Sequence, residues 1–214
     1  MQLTLIDTIP HTTYNTWYMS SLDNLNKLYK NNISLLTTLD IENLLQIKSS
    51  RTLEDLIKRL IQENVLTSVE KGKYYVTSKQ PSNFEIANFL YSPSYISFET
   101  ALNYYGLLSQ FPLEITSATL GKKTEKEINN QLYTYSKIDK KLFTGYYKES
   151  NYLIATKEKA LFDEIYLISK SIKSESILQN LDLSNFEMVK FNEFLNLLPK
   201  KSLKAFQNIM EKYL

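Results

Sequence analysis

Apolar residues recur along this chain with two periods, and the alternation between them lays out the elements. In "SSLDNLNKLYKN", residues 20–31, Leu22, Leu25, Leu28 and Tyr29 fall three and four apart, which predicts a helix. "TTLDIENLLQ" follows, with Thr38 the expected N-cap of a short helix whose apolar face is Leu39, Ile41, Leu44 and Leu45. After the polar break "KSS", Leu53, Leu56, Ile57, Leu60 and Ile61 repeat at helical spacing, a core stripe with a polar face opposite. The pattern then changes to that of strands. "VLTSVEKGKYYVTS" holds two β-prone runs, 65–69 and 73–77, around a turn at Gly72, which predicts a hairpin.

Helix, helix, helix, hairpin is the order of a winged helix-turn-helix. The second helix would be 39–45 and the recognition helix 51–64, offering its N-terminal and outer residues to a major groove. The candidate DNA contacts are Lys48, Ser50, Arg51, Thr52, Lys58 and Arg59, with Lys71 and Lys73 at the wing tip for phosphate. Glu54, Asp55, Glu63 and Glu70 interrupt this basic surface. A plain solvated face, or a protein-docking module of the same fold, fits the pattern as well.

"TSKQPSNFEIANFLYSPS" reads as a linker with a short helix at 83–90, and the domain boundary is expected at residue 85. The expected organisation is a DNA-binding domain over 1–85 and a mixed α/β domain with a helical C-terminus over 86–214, an α+β protein. In the second part, "YISFETALNYYGL" predicts a helix capped by Ser97, with Glu99 in its first turn and Gly106 at its end. "PLEITSATLG" reads as a buried strand and "NNQLYTYSKI" as an alternating one. "LFTGYYKESNYLIAT" predicts a hairpin running into a helix capped by Thr156. The C-terminal stretch predicts helices begun or broken at Ser184 and Pro199, with Phe186, Val189, Phe194, Leu195, Leu203, Phe206 and Ile209 as the apolar stripe.

Composition narrows the chemistry. Hydrophobic residues at 43% and charged residues at 22% belong to a globular protein with a core. The first residues lack the pattern of a secretory signal and no run is long enough for a membrane span, so a cytoplasmic protein without a membrane partner is expected. With no cysteine and His11 as the single histidine, neither a metal site nor a cofactor is expected. Net charge is +2, and residues 1–85 hold 9 basic against 9 acidic side chains, so any DNA-binding face must come from local placement.

Phosphate-cradling glycine loops, nucleophile elbows and metalloprotease motifs are absent from the sequence. An enzyme would have only carboxylates to use, such as Glu158, Asp163 and Glu164. Glu158 and Asp163 diverge around a helix, Lys159 and Asp163 at i, i+4 are expected to pair on its surface, and Asp163 reads as a partly buried polar anchor. A structural role is expected, and no catalysis. "GKKTEK" and "YTYSKIDKKLFTGYY" interleave lysines with tyrosines. Lys122, Lys123, Lys137, Lys140 and Lys141 are therefore either a functional basic surface or the outer side of strands whose tyrosines pack inward.

Four blocks in order, "PSYISFETALNYYGL", "EITSAT", "YTYSKIDKKLFTGY" and "YLIATKEKALFDEIYL", resemble the AbiEi antitoxin family, and with the helices ahead of them the resemblance spans residues 30–170. Lys157 stands where that family usually carries proline. The resemblance implies a phage-defence antitoxin whose winged helix binds inverted repeats in promoter DNA and represses its own operon. Its C-terminal domain would neutralise a cognate nucleotidyltransferase toxin, in the type IV manner without a stable complex. The alternative is a protein-interaction module that binds the toxin directly, with the winged helix as scaffold.

Overall fold

The computed structural model describes residues 33–213, and the chain divides between Pro81 and Ser82 into two compact units. The helix expected at 20–31 lies outside the described residues. The described part of the first unit runs β1 (Leu35–Thr37), α1 (Thr38–Leu45), α2 (Ser50–Gln62), β2 (Leu66–Glu70) and β3 (Lys73–Val76). β3 pairs antiparallel with both other strands, in the order β1-β3-β2.

Thr37, not Thr38, caps α1. Its hydroxyl accepts from the Asp40 N–H and the Asp40 carboxylate accepts from the Thr37 N–H at 2.8 Å, a reciprocal capping box. Thr38 instead donates its N–H to the Gly72 carbonyl at 2.9 Å, tying the helix to the hairpin turn. α1 ends at Gln46 in the left-handed region, and Ser49 caps α2, so the turn between the helices is four residues, 46–49. Leu36, Ile41, Leu53, Leu56, Ile57, Leu60, Leu66 and Val76 build the core. Leu39 does not join it. It lies off the Ile41–Leu45 stripe and is 61% exposed, and Ile61 is likewise exposed beside the buried Leu60.

The second unit begins earlier than residue 86 because Ser82 and Glu85 form a capping box for α3 (Asn83–Leu90), which packs on this unit's own sheet. There follow β4 (Ser94–Ile96), α4 (Phe98–Tyr104), β5 (Glu114–Thr119), β6 (Thr124–Ile128), β7 (Gln131–Lys137), β8 (Tyr146–Glu149), β9 (Tyr152–Ala155), α5 (Lys157–Ser169), α6 (Met188–Leu195) and α7 (Lys200–Tyr213). The six strands lie in the order β6-β7-β5-β4-β9-β8, with β5–β7 and β4–β9 parallel and the other pairs antiparallel. Together the two units make an α+β chain. No helix among the described residues is long and apolar enough to cross a membrane.

Strand alternation sorts the two faces of the sheet. Ser117 is opposite Tyr135, whose hydroxyl donates to the Ala87 carbonyl of α3 at 2.7 Å. Ala118 is opposite Tyr95, which faces α5. α5 is therefore a middle layer, with the sheet on one side and the C-terminal helices on the other, and every residue from Glu158 to Ile168 is buried. On its outer side the Phe162 ring meets Phe191, Phe194 and Phe206 at centroid distances of 6.2, 5.5 and 5.1 Å. α6 starts at Met188 and not near Ser184. That start turns Val189 to solvent, 77% exposed, and Phe191 takes the core position.

Candidate functional site

In the first unit the candidate surface is the outer face of α2. Burial of Leu53, Leu56, Ile57 and Leu60 leaves Arg51, Thr52, Asp55, Lys58 and Arg59 turned to solvent, with Lys48 and Ser50 exposed at the helix start. Arg51, Asp55 and Lys58 fall at i, i+4 and i+7, so a carboxylate separates two cations on one face. Lys71 is exposed at the hairpin turn, where Gly72 takes φ +78°. Lys73 is half-buried and its ammonium lies 2.8 Å from Glu70 Oε1. The eight predicted contacts thus share one unit, but Lys73 is committed to a neighbouring carboxylate.

In the second unit the five predicted lysines converge on one end of the sheet and all are exposed. Lys137 sits opposite Thr119 at the end of β7, Lys122 and Lys123 follow β5, and Lys140 and Lys141 lie on the turn after β7. The latter two border a small cavity of about 350 Å³ with Leu142, Leu197 and Pro199. Two of the interleaved tyrosines, Tyr133 and Tyr135, do not share this surface. Both are buried, and Tyr133 donates to Asn83 Oδ1 at 3.2 Å, so they serve packing against α3 and are closed to base stacking.

The same unit buries a charged constellation. Lys159 and Asp163, one turn apart on α5, form an ion pair in which both side chains have 0% exposure, where the sequence had suggested a surface pair. Lys159 donates to Asp163 Oδ1, while the Tyr95 and Ser97 hydroxyls each donate to Oδ2 at 2.8 Å. Burial pushes the Asp163 carboxyl up and the Lys159 ammonium down, each opposed by the other's charge. The ammonium also lies 5.8 Å from the Tyr95 ring centroid, 5.1 Å from that of Phe162 and 5.8 Å from that of Phe194.

Ser97 was expected to cap α4, but its hydroxyl is engaged by Asp163. The Thr116 hydroxyl from β5 caps instead, accepting from the Thr100 N–H at 3.1 Å and donating to the Ser97 carbonyl at 2.7 Å. Tyr95 and Ser97 were missed as partners of Asp163. Their i, i+2 spacing in extended backbone turns both toward one side, but a three-residue strand is too short for the sequence to signal it.

A second cluster adjoins the start of α4. The Lys173 ammonium donates to Glu99 and to Glu164 Oε2, the latter at 2.9 Å, and lies 4.6 Å from the Phe98 ring centroid. Two carboxylates share one ammonium, and burial pushes the Glu164 carboxyl up to about 8 against the pull of Lys173. Among the described residues no cluster of His, Cys, Asp or Glu could hold a metal ion.

No protein-family model matches this chain, and no curated protein matches it. Its structure is similar to the crystal structure of the RV2827C protein from Mycobacterium tuberculosis, with a TM-score of 0.58 over 90% of this chain and 76% of that one, at 14% identity. At that identity the likeness establishes a shared fold.

Replacing Lys159 by methionine strands a buried carboxylate, and removing one partner of such a pair costs about 3–5 kcal/mol. Urea unfolding followed by circular dichroism should show that loss, with Lys159→Met/Asp163→Asn costing less than the sum of the single changes. Glu164 binds a proton more tightly folded, near 8, than at its ordinary 4.5. Its contribution to stability is therefore complete below about 4.5 and lost as pH rises through about 8. Glu164→Gln should flatten the fall in stability across that window, read as unfolding midpoints along a pH series.

Proposed function

We propose that this chain is an autorepressing antitoxin. Its first unit is a winged helix-turn-helix that binds promoter DNA, and its second unit counters a cognate nucleotidyltransferase toxin. The observation that carries the DNA half is α2. It is capped at its N-terminus, anchored by four buried apolar residues, and preceded by a tight turn from α1, so its exposed Arg51, Thr52 and Lys58 can enter a major groove. The β2–β3 hairpin then acts as the wing, with Lys71 on phosphate.

Acidic neighbours limit this surface. Asp55 stands between Arg51 and Lys58, and Glu70 holds Lys73, so few phosphates are neutralised and binding depends on base contacts more than on charge. The antitoxin half rests on the four sequence blocks. They supply β4 and α4, then β5, then β7, then β9 and α5, and the hydrogen-bonded set of Tyr95, Ser97, Lys159 and Asp163 lies within them. The Lys159–Asp163 pair is sealed from solvent, which favours neutralisation by a surface over chemistry at a buried centre.

Fluorescence anisotropy with a duplex from immediately upstream of the gene tests the DNA half. Lys71→Ala should weaken binding to all sequences alike and reduce the slope of log affinity against log salt by about 0.9. Arg51→Ala should cost about 1–3 kcal/mol on the preferred sequence and relax selectivity there. Equal losses for Arg51→Ala on preferred and scrambled duplexes would remove it from base reading.

A further inference from the structure

In the second unit the loop after α4 carries Phe111, Pro112 and Leu113, with Phe111 86% and Leu113 96% exposed. One exposed apolar residue is ordinary on a protein surface. Two on one loop held by a proline, at the lip of a groove, are not. The groove is about 590 Å³ and is lined by Leu108, Leu132 and Ile177 together with Glu99 and Glu114. Among the described residues no lysine or arginine lines it.

The acidity continues beyond the groove. Glu114, Leu132 and Glu127 are register partners across β5, β7 and β6 and so share one sheet face, and Glu125 follows on that face opposite Thr134. Two cations of the described residues touch this acidic surface: Lys173 pairs with Glu99, and neither it nor Lys123 is paired with Glu114 or Glu127. Lys173 is shared between Glu99 and Glu164. Lys123 is 3.9 Å from Glu125 in an exposed pair of little weight. Phosphate is repelled by such a surface, whereas an apolar side chain flanked by cations is complementary to it.

We propose that this groove docks a basic amphipathic segment of a protein partner. An apolar side chain of the segment seats on Leu108, Leu132 and Ile177 against the Phe111–Leu113 lip, and lysine or arginine side chains beside it meet Glu114 and, beyond the groove, Glu127 on the same sheet face. The inference goes beyond the DNA-binding reading, because it concerns the other unit and an opposite charge. It deepens the antitoxin reading by naming the chemistry of the partner surface that the second unit fits.

A random-peptide display library panned against the full chain tests this, with the Phe111→Asp/Leu113→Asp double variant as counter-selection. Both side chains are almost fully exposed, so the variant should fold, and circular dichroism and retained duplex binding by its first unit check that it does. Enriched peptides should combine leucine, isoleucine or phenylalanine with lysine or arginine. A labelled synthetic copy should bind the double variant roughly tenfold or more weakly, as for loss of interface anchors. Binding should also weaken with salt, and less steeply for Glu114→Gln. Acidic or uncharged enriched peptides, equal binding to chain and variant, or no enrichment would each overturn the proposal. So would sedimentation showing that the unmodified chain self-associates and the double variant does not, because the occupant would then be a second copy.

Discussion

The ion pair between Lys159 and Asp163 is the constraint on which the second unit is arranged. A charge buried without a partner costs several kcal/mol, so each side chain fixes the position of the other. Asp163 also takes hydroxyls from Tyr95 and Ser97, which locks β4 to α5 in one register. The lysine end is closed by Phe162 and Phe194, so α6 must be in place to exclude water. Gly145 completes this corner. It takes φ +75°, and a β-carbon there would stand 2.6 Å from Phe194 and 3.0 Å from Lys159, so no other residue fits.

Charge is deployed differently in the first unit. Among the described residues its core around α2 is aliphatic apart from partly buried Tyr74, and the described charged side chains stay outside or pair with near neighbours. One unit thus uses ion pairing for internal specification and the other keeps its cations for a surface. The proposed division of labour follows from that contrast. A helix face with exposed cations suits phosphate and base edges, and an acidic apolar groove suits a cationic protein segment.

Legibility in the sequence followed the physics of each element. The helical stripe of 53–60 and the hairpin around Gly72 were readable because one face of each is buried and the other wet. α3 was read with its observed bounds and α5 with its observed cap, since Ser82 and Thr156 supply local caps at their edges. β1 and β4 escaped notice because three residues are too few to establish a period. The exposure of Leu39 and Val189 went unread because hydrophobicity reports a tendency to be buried, while the helix phase decides. At the candidate sites, the exposed face of α2 was legible from its stripe. The burial of the Lys159–Asp163 pair was not, because Tyr95 and Ser97, which donate to Asp163, lie more than sixty residues away from it. The Phe111–Leu113 lip carries no periodic signal at all.

Hydrogen exchange of the full chain, with and without duplex DNA from upstream of its own gene, tests the central claim most directly. The account predicts added protection confined to α2 and the β2–β3 turn, with the amides of the second unit unchanged. Protection centred instead on the lysine-rich end of the second unit's sheet, or equal protection by a scrambled duplex, would contradict it.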